Sequence, residues 1–179
     1  SGSNAENICN YFAESSDIEV VLICTNKREA FIVKRANKLN IPVYIFTKYE
    51  LNNFVDLHKK LQSNGVDIVI LAGFLLKIPT IMVDSYPNRI INIHPSLLPK
   101  YGGKGMYGSN IHKSVIENKE TESGISVHFV NQNYDEGKII LQEKCDVSNN
   151  ETVETLIQKI HKLEHNYFPA AIEETLKAL

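Results

Sequence analysis

Cysteine is scarce in this chain. Three residues, Cys9, Cys24 and Cys145, stand far apart among 179, odd in number and with no second Cys or His at a zinc-binding spacing. A disulfide scaffold is excluded, and reduced thiols in a cytoplasmic protein are expected. Long hydrophobic runs are missing as well. The longest, Ile68 to Ala72 followed after Gly73 by Phe74 to Leu76, falls far short of the ~20 residues that a membrane-spanning helix needs. Neither sign of charge is in excess: 19 basic against 21 acidic residues give a net charge of -2 and a pI near 6.3. Such a balance argues against a protein that coats nucleic acid or an acidic membrane, so any phosphate must be held locally. No basic-then-apolar segment opens the chain, and no repeat, low-complexity tract or linker interrupts it. With 43% apolar residues, one compact domain over residues 1–179 is expected.

What is present in the first half is alternation. Short runs rich in Val and Ile, at Glu19 to Cys24, Val43 to Phe46, Asp67 to Ala72 and Arg89 to Ile93, are apolar on successive residues, as in strands covered on both faces. Between them, Arg28 to Leu39 and Glu50 to Gln62 carry apolar residues at helical spacing, with Asn40 and Asn64-Gly65 as stop signals. The fold class is therefore α/β, a Rossmann-like, mostly parallel sheet with helices on both faces. The second half differs. Gly124 to Val130 and Lys138 to Gln142 form two strand-like runs joined by a polar connection, which predicts a hairpin-like excursion and a mixed sheet. Ser148 and Glu151 resemble a capping box. Behind them Val153, Leu156, Ile157, Ile160, Leu163 and Tyr167 form one stripe, and Pro169 marks a break or a new first turn. At the opposite end Ser1 to Asn4 run into an amphipathic helix, Glu6 to Glu14, with Ile8, Tyr11 and Phe12 inward. A small-residue turn at a helix N-terminus suits a phosphate, and a frayed or tag-like start would look the same.

The most informative stretch is Asn92-Ile93-His94-Pro95-Ser96-Leu97-Leu98-Pro99-Lys100. Residues two apart in a strand share a face, so Asn92 and His94 should project together, and Pro95 holds His94 extended. An amide beside an imidazole offers hydrogen-bond donors to a carbonyl oxygen that turns negative under attack, which is the chemistry of acyl transfer. No Ser or Cys sits in a Gly-x-Ser-x-Gly turn, so direct transfer between two bound substrates is simpler than an acyl-enzyme. Asp135, in Asn131 to Gly137, is a candidate carboxylate to raise the His94 pKa, although Asp-Glu-Gly is also an ordinary turn. Glu164 falls within the apolar stripe and needs partners, which ligand hydroxyls, a Lys, a Tyr or a backbone N–H could supply. His161 and His165 complete no zinc motif and read as solvated helix residues; no metal is expected.

Taken together, these segments resemble the phosphoribosylglycinamide formyltransferase family, within the wider group of 10-formyltetrahydrofolate-using enzymes with Asn-x-His on the formyl-transfer strand. Beyond Asn92 to Lys100, the resemblance takes in Ser1 to Asn4 as the phosphate turn, Leu71 to Leu75 as the folate-side strand end, Gly124 to Val130 and Asp135 to Gly137 as the later core, and Leu163 to Pro169 on the last helix. The resemblance implies that Asn92 and His94 polarise the formyl group and stabilise the tetrahedral oxyanion, while Asp135 raises the His94 pKa and organises water. It implies that Gly2, Ser3 and Asn4 hold the ribonucleotide phosphate, that Ala5 and Glu6 continue this contact, and that Glu164 meets the ribose hydroxyls. Leu75, Leu76, Lys77 and Ile78 would line the folate site, with Phe74 and Val83 as wall residues and Asn92 reaching the same co-substrate. It also implies a first strand ahead of Ser1, about ten residues by ordinary strand length.

Two departures stand out. Where the family commonly continues Pro-Gly after the equivalent of Lys100-Tyr101, this chain has Gly102 to Gly108, a longer, glycine-rich loop with Lys104, either a ligand-approaching or a mobile surface segment. The family's folate-side Arg has no counterpart in Glu50 to Lys60. The resemblance implies transfer of formyl from 10-formyltetrahydrofolate, a co-substrate, to the amine of glycinamide ribonucleotide in purine synthesis. The expected partners are these small molecules, without nucleic acid or membrane, for a monomer or homodimer. Alternatives are a formyltetrahydrofolate hydrolase, disfavoured by the phosphate turn and Glu164, or a non-catalytic nucleotide- or folate-binding module. Methionyl-tRNA formyl transfer is disfavoured because no basic C-terminal extension is present.

Overall fold

A computed structural model describes residues 2–179; Ser1, and with it the first residue of the expected phosphate turn, lies outside the described residues. The chain divides into two compact units, Ser1–Ile90 and Ile91–Leu179. Among the described residues no helix is long and apolar enough to cross a membrane.

The first unit alternates helix and strand: α1 (Ser3–Tyr11), β1 (Ile23–Thr25), α2 (Phe31–Lys38), β2 (Val43–Ile45), α3 (Lys48–Asn53), α4 (Val55–Ser63), β3 (Val69–Leu71) and α5 (Thr80–Ser85). β1 and β2 pair in parallel, Ile23 opposite Val43 and Thr25 opposite Ile45, as a strand-helix-strand unit requires. Cys9, Ile23, Ile32 and Ala36 form one apolar cluster, joined by Ala5, Val20 and Val43. The strands are shorter than the apolar runs suggest; β1 begins at Ile23 instead of Glu19. Ile8 in α1 and Phe12 at its C-cap are buried as expected, but Tyr11 is exposed.

The helix expected over Glu50 to Gln62 is two helices. Thr47 and Glu50 form a reciprocal capping box that starts α3, and Phe54 then takes a left-handed conformation, φ 56°, ending α3 and starting α4. Burial explains the break: Phe54 is 2% exposed, its ring 5.1 Å from that of His58 and 6.4 Å from that of Tyr86. Hydrophobic burial of the ring outweighs continuity of the backbone helix here.

β4 (Ile90–His94) leads into the second unit, which continues with α6 (Ser109–Glu117), β5 (Glu122–Phe129), β6 (Ile139–Asp146) and α7 (Val153–Lys177). β4, β5 and β6 pair antiparallel, so the excursion read from the second half is a true hairpin, with a register shift at Val127/His128. α7 packs against β5, β6 and α6. Its cap is Thr152, whose side chain accepts from the Thr155 N–H; Ser148 and Glu151 bond to one another just ahead of it. The helix runs through Pro169 unbroken. Phe168, Ala171 and Ile172 are buried on either side of the proline, and this shared packing carries the helix across its missing N–H. The buried stripe holds Leu156, Ile160 and Glu164, whereas Tyr167 lies outside it, 37% exposed.

One hydroxyl organises the turn after β4. Ser126, fully buried on β5, donates to the Ser96 carbonyl at 2.7 Å and accepts from the Leu98 N–H at 2.9 Å and from Gln142 Nε2 at 2.8 Å. Gln142 also donates to the Leu98 carbonyl at 2.9 Å, and Ser96 Oγ donates to the Lys100 carbonyl at 2.7 Å. Buried backbone groups outside a ladder need such partners. Ser126→Ala is therefore expected to lower unfolding stability by about 1–3 kcal/mol, read from urea denaturation; an unchanged midpoint would mean that the turn holds without the hydroxyl.

Glu151, its side chain 4% exposed, pairs with Lys159, which also donates to the Asp146 carbonyl at 2.9 Å, tying the end of β6 to α7. The bonds from Lys159 and Thr155 hold the Glu151 carboxyl well below its ordinary value of 4.5, at about 2. A depressed folded-state value stabilises the fold above the unfolded value and loses that contribution as pH falls through the folded one. The advantage of the native chain over Glu151→Gln should be complete above pH 4.5 and fade as pH approaches 2, as thermal midpoints recorded across that range would show.

Candidate active site

The second unit builds a polar cluster from two strands and one turn. In the antiparallel ladder Asn92 faces His128 and His94 faces Ser126. Side chains alternate along each strand, so these four share one face while Ile91 and Ile93 take the other. The expected projection of Asn92 and His94 together is what the strand provides. Asp135 arrives from the connection between β5 and β6, at φ 55°, a left-handed conformation that Asp tolerates better than most residues. Its Oδ2 lies 3.6 Å from His94 Nδ1 and its Oδ1 3.7 Å from His128 Nε2. The three side chains are 13% (Asp135), 6% (His94) and 2% (His128) exposed, so electrostatic interactions among them are only weakly screened.

Backbone carbonyls decide where the protons sit. His128 Nδ1 lies 2.8 Å from the Phe129 carbonyl, which can only accept, so Nδ1 carries the hydrogen. Burial pushes the His128 pKa down, keeping the ring neutral, and its Nε2 lone pair accepts from Asn92 Nδ2 at 3.1 Å. That bond sets which way the Asn92 amide points, and it takes one of the two N–H donors of the amide. His94 Nε2 lies 2.8 Å from the Tyr101 carbonyl and must donate to it. The edge of the His94 ring that carries Nδ1 is thereby turned towards Asp135. Asp135 Oδ2 also accepts the Gly103 N–H at 2.9 Å. A Cβ at Gly137 would lie 1.6 Å from the Phe129 carbonyl oxygen and 3.5 Å from His128 Nδ1, so the chain passes this point only as glycine.

His112 on α6 is buried close by. Burial, with His161 and His94 acting in the same direction, lowers its pKa to about 4, so it too is neutral. Glu164 is 8% exposed within the α7 stripe, as its spacing implies. His161 and His165 are exposed. Among the described residues no group of three or more His, Cys, Asp or Glu could hold a metal ion.

In the first unit, Gly2 is the N-cap of α1 at φ 73°, and a Cβ there would lie 2.7 Å from Ile32 Cβ. Ser3, Asn4, Ala5 and Glu6 form the first turn of α1; the Glu6 N–H donates to the Gly2 carbonyl at 3.0 Å, while the N–H groups of Ser3, Asn4 and Ala5 precede the first helical acceptor. Glu6 pairs with Arg35. Phe74, Leu75, Leu76, Lys77 and Ile78 occupy the connection from β3 to α5; Ile78 is buried, Leu75 is 56% exposed, and the Phe74 ring lies 6.1 Å from that of Phe46. Val83 is half-buried on α5.

Three residues at the cluster escape a reading of the sequence. His128 reads as a strand residue until the β4–β5 register is known, although Ser126 and His128 alternate on one face within an apolar run. His112 reads as an ordinary helix position, and Tyr101 acts through its carbonyl, which no side-chain motif displays.

The profile of the formyl transferase family matches residues 1–172. A chloroplastic phosphoribosylglycinamide formyltransferase of Arabidopsis thaliana is 40% identical over 171 residues, covering 89% of this chain and 58% of its own. The phosphoribosylglycinamide formyltransferase of Bacillus subtilis (strain 168) is 33% identical over 180 residues, 98% of this chain and 90% of its own. The crystal structure of phosphoribosylglycinamide formyltransferase from Bacillus halodurans superposes with a TM-score of 0.88 at 31% identity, over 98% of this chain and 91% of that one. The chain spans about half the length, or less, of some other curated relatives it matches. The α/β fold with its mixed strands, the extent of the family match and the level of identity agree: this chain belongs to the formyl transferase family.

Proposed function

We propose that residues 1–179 act as one formyltransferase domain, moving a formyl group from 10-formyltetrahydrofolate to the amine of glycinamide ribonucleotide, a step of purine synthesis. The observation that carries this reading is the Asn92–His94–Asp135 cluster, in which an amide, an imidazole and a carboxylate from two segments meet on one strand face. The names of the relatives support the choice of acceptor.

The neutral amine attacks the formyl carbon, and the carbonyl oxygen becomes negative. The second Asn92 N–H and a protonated His94, through Nδ1–H, donate to that oxygen. Donors fixed before the reaction stabilise developing charge without reorganisation. Asp135, 3.6 Å from His94 Nδ1, offsets the positive charge on the ring. A proton passes from the attacking nitrogen to the folate nitrogen, and the intermediate collapses with release of tetrahydrofolate. In the first unit, Gly2, Ser3 and Asn4 hold the ribonucleotide phosphate at the positive end of α1, with Ala5 and Glu6 continuing the segment. Glu164 takes the ribose hydroxyls. The folate packs on Phe74, Leu75, Leu76, Lys77, Ile78 and Val83.

Supplying 10-formyl folate with and without glycinamide ribonucleotide, and following deformylated folate, tests the activity. Release is expected only with both present. Release without the amine would make the protein a hydrolase, and binding of both ligands without release would make it a binding module. His94→Ala is expected to lower kcat by about 10²–10³, the usual worth of an oxyanion donor, with an unchanged circular dichroism spectrum. Retention of full turnover would remove His94 from the reaction.

A further inference from the structure

We propose that Tyr101 is a positioning residue for the reaction, its phenol anchored on Glu120 and Asn118 so that one tight turn, residues 101–103, grips both His94 and Asp135. The inference rests on the role given to His94 above.

The turn acts at two atoms. The Tyr101 carbonyl accepts from His94 Nε2 at 2.8 Å, and two residues later the Gly103 N–H donates to Asp135 Oδ2 at 2.9 Å. One end therefore holds the imidazole and the other the carboxylate that faces it, so the 3.6 Å separation of His94 Nδ1 from Asp135 is set by a single piece of backbone. The groups facing His94 are Asp135, the neutral His112 and the neutral His128. Among the described residues, the hydrogen bond at its Nε2 is the one to the Tyr101 carbonyl.

That backbone is not in a relaxed state. Tyr101 has φ 56°, a left-handed conformation that a residue with a large side chain rarely adopts without support. Its neighbour Gly102 is confined as well, since a Cβ there would lie 2.6 Å from Leu98 Cδ2 and 3.3 Å from Asp135 Cβ. The support comes from the far end of the tyrosine. Its hydroxyl donates to Glu120 Oε1 at 2.9 Å and accepts from Asn118 Nδ2 at 2.9 Å. Glu120 is itself held by Lys100 Nζ, 3.1 Å from both carboxylate oxygens. Asn118 and Glu120 are fixed in turn by backbone bonds to Ser114 and Val115 at the end of α6. A rigid phenol with both faces of its hydroxyl engaged transmits the position of α6 to the carbonyl that orients His94. A hydroxyl bonded only for stability would not need to lead to a strained residue that contacts the reacting group.

Tyr101→Phe keeps the ring and the carbonyl and removes the anchor. It is expected to lower kcat by about five- to twentyfold, the effect of one lost orienting hydrogen bond, with KM for both substrates within about twofold. Imidazole nitrogen NMR of the free protein, recorded at a pH high enough that His94 is neutral, should show the ring passing from Nε2–H alone to a mixture of tautomers. Glu120→Gln, which still accepts the phenolic proton, should retain the native kcat and tautomer, and Glu120→Ala should reproduce the Tyr101→Phe values. Should Tyr101→Phe fail to fold, the two Glu120 variants decide the matter alone. Unchanged kcat, an unchanged tautomer, or a tautomer that moves without any change in kcat would each overturn the proposal. The tautomer does not depend on turnover, so failure here is distinct from failure of the formyl-transfer reading, which full activity of His94→Ala would reveal.

Discussion

The antiparallel register of β4 against β5 is the constraint on which the site depends. With Asn92 opposite His128 and His94 opposite Ser126, a ladder of backbone bonds brings four polar side chains onto one face before any of them forms a bond of its own. A slip of one residue would turn Ile91 and Ile93 to that face and carry the amide and the imidazole away. Burial of Ile91 and Ile93 on the opposite side, 0% and 5% exposed, opposes such a slip. Hydrophobic burial on one side of the strand thus secures the chemistry on the other.

Main-chain atoms then do what side chains alone could not. Two carbonyls, of Tyr101 and Phe129, assign the hydrogen on each imidazole. His128 becomes an acceptor for the Asn92 amide, and His94 turns its Nδ1 edge to Asp135. Carbonyl oxygens do not titrate in this range, so the arrangement depends less on pH than one built from side-chain acceptors would. Low exposure keeps the neighbouring rings neutral, and Asp135, half-buried, is the carboxylate that faces His94.

Much of this was legible in the order of residues. Alternating apolar runs and helical patterns announce the strand-helix-strand first unit, and the paired runs after Gly124 announce the hairpin. The spacing of Asn92 and His94 states that they share a face, and Glu164 falls on the buried stripe as its position in α7 requires. What was not legible depends on tertiary packing. The break at Phe54 reflects burial of one ring, and passage of α7 through Pro169 reflects packing of the residues around it. The cap at Thr152 instead of Ser148 is a choice between two nearby hydroxyls that local sequence does not settle. Asp135 sits in what reads as a plain turn; only its left-handed backbone and the close approach of Gly103 give it a place beside His94. His128 and Tyr101 gain their meaning from register and from a carbonyl, neither of which a motif records.

Gly137 brings this dependence to its limit. The space a methyl group would need there is already filled by the Phe129 carbonyl, the acceptor for His128 Nδ1–H. Displacing that oxygen would free the His128 hydrogen to move to the other nitrogen, and the Asn92 amide would then face a donor where it had an acceptor. A residue with no side chain, two positions beyond the carboxylate, therefore governs which way an amide points on a different strand.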